Sequence, residues 1–199
     1  MHNQAMQRTI EARAAAVAAI VFLVVTGCSG VVRDLDDSAE GEAAGDDAHS
    51  RAWTAGIMDR PRPDSSTATL VAVRTGTHSG FDRVVFEFDE QIPGYHTEYI
   101  DRPVRKCGSG NTTPIAGDGW LEVRMSPTRA HTEEGGSTVT ERERMPNLAV
   151  LAELELTCDF EAVVTWVLGV ESPNRYRIHE LTDPPRLVVD VRHWNPKSP

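Results

Sequence analysis

Three cysteines, seven histidines and a surplus of carboxylates set the chemistry open to this chain. Cys107 and Cys158 are too few for a zinc site, which takes three or four ligands at suitable spacing. In an oxidising compartment such a pair commonly becomes a disulfide. The bridge would close a loop of about 50 residues, worth up to roughly 4 kcal/mol by chain entropy. Two buried thiols are the alternative. His78, His96, His131 and His179 are scattered, with no His-x3-His and no His-Glu-x-x-His, so neither a metal nor another cofactor is expected. Ser109 between Gly108 and Gly110 makes a turn-like triplet, not a nucleophile elbow. Glu133 and Glu134 are neighbours on a polar stretch and read as solvated. No catalytic residue is expected, and the chain reads as non-enzymatic.

Cys28 is a different case. Arg8 and Arg13 precede an uncharged apolar run from Ala14 to Val25. Twelve residues are too few to span a bilayer, which needs about 20. They suit the apolar region of a secretory signal, about 7–15 residues long. The run leads into Val25-Thr26-Gly27-Cys28, which resembles a bacterial lipobox. That resemblance implies cleavage before Cys28 and a diacylglycerol thioether on its sulfur. Two acyl chains hold a protein firmly at a membrane, because each buried methylene contributes about 0.8 kcal/mol. The expected location is therefore the outer side of the cell membrane, lipid-anchored.

Residues 1–27 form the signal peptide in this reading, and 28–65 an acidic linker. Asp34, Asp36, Asp37, Glu40, Glu42, Asp46 and Asp47 lie among Ala, Gly and Ser, too little apolar material to offset the entropy of ordering. A flexible chain of this length spans about 30–35 Å. The formal net charge is −10, and loss of Arg8, Arg13 and Glu11 with the signal makes it one unit more negative. Nucleic acid, which demands a basic surface, is excluded as a partner.

From Ser66 to Trp194 the pattern has period two. In Phe81–Phe88, Val84, Phe86 and Phe88 share one face, and Leu121–Ser126 alternates throughout. Further strands are expected at Thr67–Arg74, Tyr95–Ile100, Leu148–Thr157, Glu161–Val170, Arg175–Leu181 and Arg186–Val191. Pro127 to Pro146 reads as a long mobile polar loop. Leu148–Thr157 has helix-favouring composition, but its apolar residues recur at every second place, which favours strand. About eight strands of this kind predict an all-β sandwich or partly open barrel.

Two stretches carry arginine and carboxylate on strands. One is Gly80-Phe81-Asp82-Arg83-Val84-Val85-Phe86-Glu87-Phe88. The other is Leu181-Thr182-Asp183-Pro184-Pro185-Arg186-Leu187-Val188-Val189-Asp190-Val191. Arg83 with Glu87, and Arg186 with an acid of a neighbouring strand, are candidate pairs. With Cys158-Asp159-Phe160-Glu161 ahead of Trp166, these stretches resemble the AMIN-like domain of bacterial lipoproteins. The resemblance implies a non-catalytic module near cell-wall peptidoglycan. Sugar recognition would use an exposed aromatic with polar neighbours, and Tyr95, Tyr99, Trp120 and Trp166, with Arg83 and Arg186, are the candidates. The alternative is an envelope assembly factor that docks a protein partner along an edge strand.

Overall fold

A computed structural model describes residues 52–194. Cys28, the expected signal segment and most of the expected linker lie outside the described residues. The described chain is all-β, in eleven strands: β1 Met58–Arg60, β2 Ala68–His78, β3 Phe81–Phe88, β4 Gly94–Ile100, β5 Gly119–Ser126, β6 Thr128–Arg129, β7 Glu143–Arg144, β8 Leu151–Phe160, β9 Val163–Val170, β10 Tyr176–Thr182 and β11 Pro185–Arg192. They form a six-stranded sheet, order β1-β4-β5-β9-β8-β7, and a five-stranded sheet, order β10-β11-β3-β2-β6.

The inner faces of the two sheets make the core. Leu70, Val84, Phe86 and Phe88 from one sheet meet Leu121, Met125, Leu154, Trp166 and Leu168 from the other. Phe86 and Trp166 sit tilted, ring centroids 6.2 Å apart. Burying this many large side chains, at about 1.5–3 kcal/mol each, is what drives the two sheets together.

Strand β8 confirms the period-two reading over the helical one, although it runs from Leu151 to Phe160. Register shifts at Leu151/Glu153 and Leu156/Cys158 break the alternation, so Ala152 does not take the core place its spacing suggested.

Two segments are more ordered than the sequence predicted. Met58–Arg60 falls within the expected linker, yet it pairs antiparallel with Thr97–Tyr95 of β4. Just before it, Thr54 exchanges backbone bonds with Tyr176, and the Tyr176 hydroxyl donates to the Gly56 and Thr97 carbonyls. Trp53 lies under the guanidiniums of Arg177 and Arg192, 4.5 and 5.8 Å from its ring centroid. The folded body therefore begins before Ser66. The second segment is Pro127–Pro146, expected to be mobile. Here Thr128–Arg129 runs parallel to the start of β2, and Glu143–Arg144 pairs with β8. One carboxylate accounts for much of this. Asp159 accepts the Ala130 amide at 3.0 Å, and it bonds His131 at 2.9 Å and Arg142 at 3.3 Å.

The segment between β4 and β5 folds back over the outer face of the six-stranded sheet. Val104 and Ile115 bury the outward side of Val167, making a second small core. Disulfide Cys107–Cys158 pins this loop to β8. Two glutamates of β8, both nearly inaccessible, hold it as well: Glu153 accepts the Ala116 amide at 2.7 Å, and Glu155 takes the Thr113 hydroxyl and the Lys106 ammonium. The loop lies so flat that a Cβ on Gly169 would collide with the Ala116 carbonyl.

Candidate functional site

Beside that loop, part of the outer sheet face stays open. Antiparallel pairing of β4 with β5 sets His96 opposite Arg124 and Glu98 opposite Glu122. These four side chains share one face, because alternate residues of a strand point the same way. Asp59 of β1 stands opposite His96 and extends the row.

Two hollows meet over this floor. One, of about 600 Å³, is walled by β1 and the Pro61-Arg62-Pro63 segment. The other, of about 440 Å³, is walled by Lys106, Cys107 and Cys158 of the stapled loop and by Phe160. Both are lined by Glu122 and Arg124, so they run together as one groove across the sheet.

The charges in the groove are unevenly matched. His96 is held on both sides, with Nδ1 3.0 Å from Asp59 and Nε2 3.3 Å from Glu98. Burial works against its charge, but the two carboxylates outweigh it and raise the His96 pKa above the usual histidine value. Glu122 is half-buried and makes no hydrogen bond or ion pair among the described residues. Burial pushes its carboxyl above the ordinary glutamate range. Arg124 counters that, while Glu98 directly opposite adds to it. Arg124 is exposed and likewise makes no side-chain hydrogen bond or ion pair among the described residues. A carboxylate and a guanidinium thus share the floor, two residues apart on β5, each with bonding capacity unused.

At the groove mouth the β8–β9 hairpin turns through Glu161 and Ala162, with φ of 50° and 57°. A two-residue turn of this hand favours Asn-Gly, because both places need positive φ. Neither residue here is glycine, and each costs on the order of 1 kcal/mol. The turn displays Phe160, 59% exposed. Replacing Glu161-Ala162 by Asn-Gly is expected to raise unfolding free energy by about 1–2 kcal/mol in a urea titration. No gain would show that the turn is unstrained.

The residues chosen from sequence fare differently. Tyr95 is only 4% exposed and Trp166 only 1%, so neither offers a stacking face. Tyr99 lies edge-on to Tyr176, its hydroxyl bonded to the Asn174 carbonyl at 2.6 Å. Trp120 is covered by the Arg102 guanidinium, 4.0 Å from its centroid. Arg83 does not pair with Glu87. It forms a two-pronged bond with Asp190 of the adjacent β11, at 2.6 and 3.0 Å, and Arg177 of β10 reaches the same carboxylate at 2.9 Å. Burial opposes ionisation of Asp190, but Arg83 and then Arg177 outweigh it and hold its carboxyl below the usual range. Glu87 pairs instead with Arg74 at 2.6 Å. Arg186 has no acid partner among the described residues. It donates to the Asp183 and Pro184 carbonyls and so braces its own turn. Tyr95 lines the groove but is buried, and none of the other aromatic or arginine candidates lines it. The floor residues Glu98, Glu122 and Arg124 were readable only as wet-face positions of β4 and β5.

The sequence profile of the AMIN-like domain matches residues 68–193, well over half of the chain. The chain belongs to the AMIN-like family. No curated protein and no solved structure matches it. AMIN-like domains are envelope-associated, generally non-catalytic modules. The match spans every strand from β2 to β11, and so takes in both the groove floor and the disulfide.

Proposed function

We propose that this AMIN-like protein is a non-enzymatic envelope lipoprotein that binds cell-wall peptidoglycan in the outer-face groove. Lipid on Cys28 holds it to the membrane, and the acidic linker carries the β-sandwich outward. The observation that supports this reading is the unused pair on the floor, Glu122 and Arg124, in a groove whose wall is fixed by a disulfide. Glu122 is half-buried with little but the charge of exposed Arg124 to offset it, and a desolvated carboxylate without hydrogen bonds becomes favourable once a ligand completes it.

Cosedimentation of the full lipoprotein, in mild detergent, with purified peptidoglycan tests the reading. The wild-type chain should pellet, and an E122Q/R124A variant should need about ten- to a hundredfold more peptidoglycan for the same retention. Absence of wild-type retention at low salt would end the proposal. E122Q alone should leave the fold intact and raise its stability by up to about 1 kcal/mol at neutral pH, since it removes a like-charge pair with Glu98. The sign follows from linkage: a carboxyl whose folded pKa is raised loses stability as pH rises through that pKa, so the gain should vanish in acid.

A second reading, a protein partner added along a sheet edge, is favoured by β10. It ends the five-stranded sheet with only the Thr54 bridge on its outer side among the described residues. Crosslinking in intact envelopes that yields a discrete protein partner would favour it.

A further inference from the structure

We infer that the groove recognises a zwitterionic peptide, with a free ammonium over Glu122 and Glu98 and a free carboxylate on Arg124, and not the sugar backbone of the wall polymer. The inference rests on the groove being the wall-binding site and names the part of the polymer it takes.

Residues two apart on a strand lie about 7 Å apart, so Glu122 and Arg124 set an anionic and a cationic subsite at that spacing. Glu98 reinforces the anionic end, standing directly across from Glu122. His96 takes up one side of Glu98 through Nε2 and is itself engaged by Asp59, which leaves Glu122 as the floor carboxylate with no hydrogen bond among the described residues. An ammonium placed between Glu98 and Glu122 would relieve their repulsion and supply the missing donors. A carboxylate four or five bonds away would reach Arg124, whose planar fork suits it.

Neutral sugars are held differently, by an aromatic ring under the apolar face of the pyranose with neutral polar groups around the edge. No Phe, Tyr or Trp ring lies on this floor; His96 is held between two carboxylates, and the groove's one exposed ring, Phe160, lines the wall at one end. Tyr95 is buried, and Trp120 is covered by Arg102. Full, unpaired charges of both signs are poor partners for a neutral glycan, because desolvating them without an opposite charge is unfavourable. They suit the peptide branches of a wall polymer, which carry amino and carboxylate ends.

The test uses the full lipoprotein in detergent and calorimetric titration with a synthetic tetrapeptide acetylated at its N-terminus, with one side-chain amine on its last residue, four or five bonds from the free C-terminal carboxylate. Three further probes accompany it: the same peptide acetylated on the amine, the same peptide amidated at the C-terminus, and glycan strands stripped of peptide. The zwitterion should bind, and each blocked form should bind at least about tenfold more weakly. E122Q should shrink, and E98Q/E122Q erase, the difference between free and acetylated amine while preserving that between acid and amide. R124A should do the reverse. This crossed pattern separates recognition from a general loss of structure, and a thermal melt of each variant confirms folding. Equal binding of blocked and free peptides, or stripped glycan binding as well as intact peptidoglycan, overturns the inference while leaving wall binding standing. Failure of the wild-type chain to pellet with intact peptidoglycan removes both.

Discussion

Asp82→Ala should destabilise the protein by about 3–5 kcal/mol, a large share of the roughly 5–15 kcal/mol that keeps a domain of this size folded. Asp82 lies on β3 with no solvent exposure, on the core-facing side shared with Val84, Phe86 and Phe88. Its Oδ2 accepts the Val150 amide at 2.7 Å and the Leu151 amide at 3.3 Å, where β8 begins in the opposite sheet. Its Oδ1 sits 2.9 Å from Nε2 of His193, just past the end of β11. One carboxylate therefore ties together both sheets and the far end of the chain. Burial opposes its charge, but the bonds from His193, Val150, Thr77 and Leu151 outweigh that and hold its pKa below the ordinary aspartate value.

Alanine would leave two buried amides without an acceptor, and that penalty dominates the loss. Asp82→Asn keeps one acceptor oxygen and should cost less. Urea titrations at neutral pH measure both. Because the folded-state pKa is depressed, this contribution is complete above the unfolded pKa and fades as pH falls through the folded one. The gap between wild type and D82N should accordingly narrow in acid. A D82A variant within 1 kcal/mol of wild type would contradict the assignment.

The second large effect concerns the bridge between Cys107 and Cys158. Its sequence separation is 51 residues, so replacing both cysteines by serine frees a long loop in the unfolded chain and should cost about 4 kcal/mol. The melting temperature should drop by on the order of 10 °C. Peptidoglycan retention should weaken as well, because Cys107 and Lys106 stand in the groove wall. The loop would not be wholly freed, since Glu153 and Glu155 still hold Ala116, Thr113 and Lys106. Wild-type and serine variants melting together would show that the bridge does not constrain the chain.

These residues also mark how far sequence alone could go. The long strands were legible because a half-buried strand must alternate: Leu121–Ser126 does so throughout, and Phe81–Phe88 keeps Val84, Phe86 and Phe88 on one face. The same alternation put Asp82 on the core face, an acid where apolar residues belong, which is the one sequence sign of its role. Strand β1 was not legible. It has three residues, sits among prolines and arginines, and exists only because β4 offers a free edge. The groove was hidden for a related reason. Alternation assigns Glu98 and Glu122 to wet faces but says nothing about register, and register alone sets them opposite each other. Arg83 shows the same limit: Glu87 is near in sequence, whereas Asp190, 107 residues away, is the neighbour that pairing supplies. Tyr95 and Tyr99 were chosen as aromatics with polar neighbours, yet both point inward with the odd-numbered side of β4.

The early start of the folded body bears on how the protein carries load. Under the proposed lipid anchor, a pull along the linker would enter the described residues at Trp53 and Thr54 and pass on to Met58–Arg60. That short strand also supplies Asp59 to the groove wall. In the proposed function, tension between cell surface and wall would therefore run through the groove wall, with the stacked arginines around Trp53 and the Thr54–Tyr176 bonds as strain relief ahead of it.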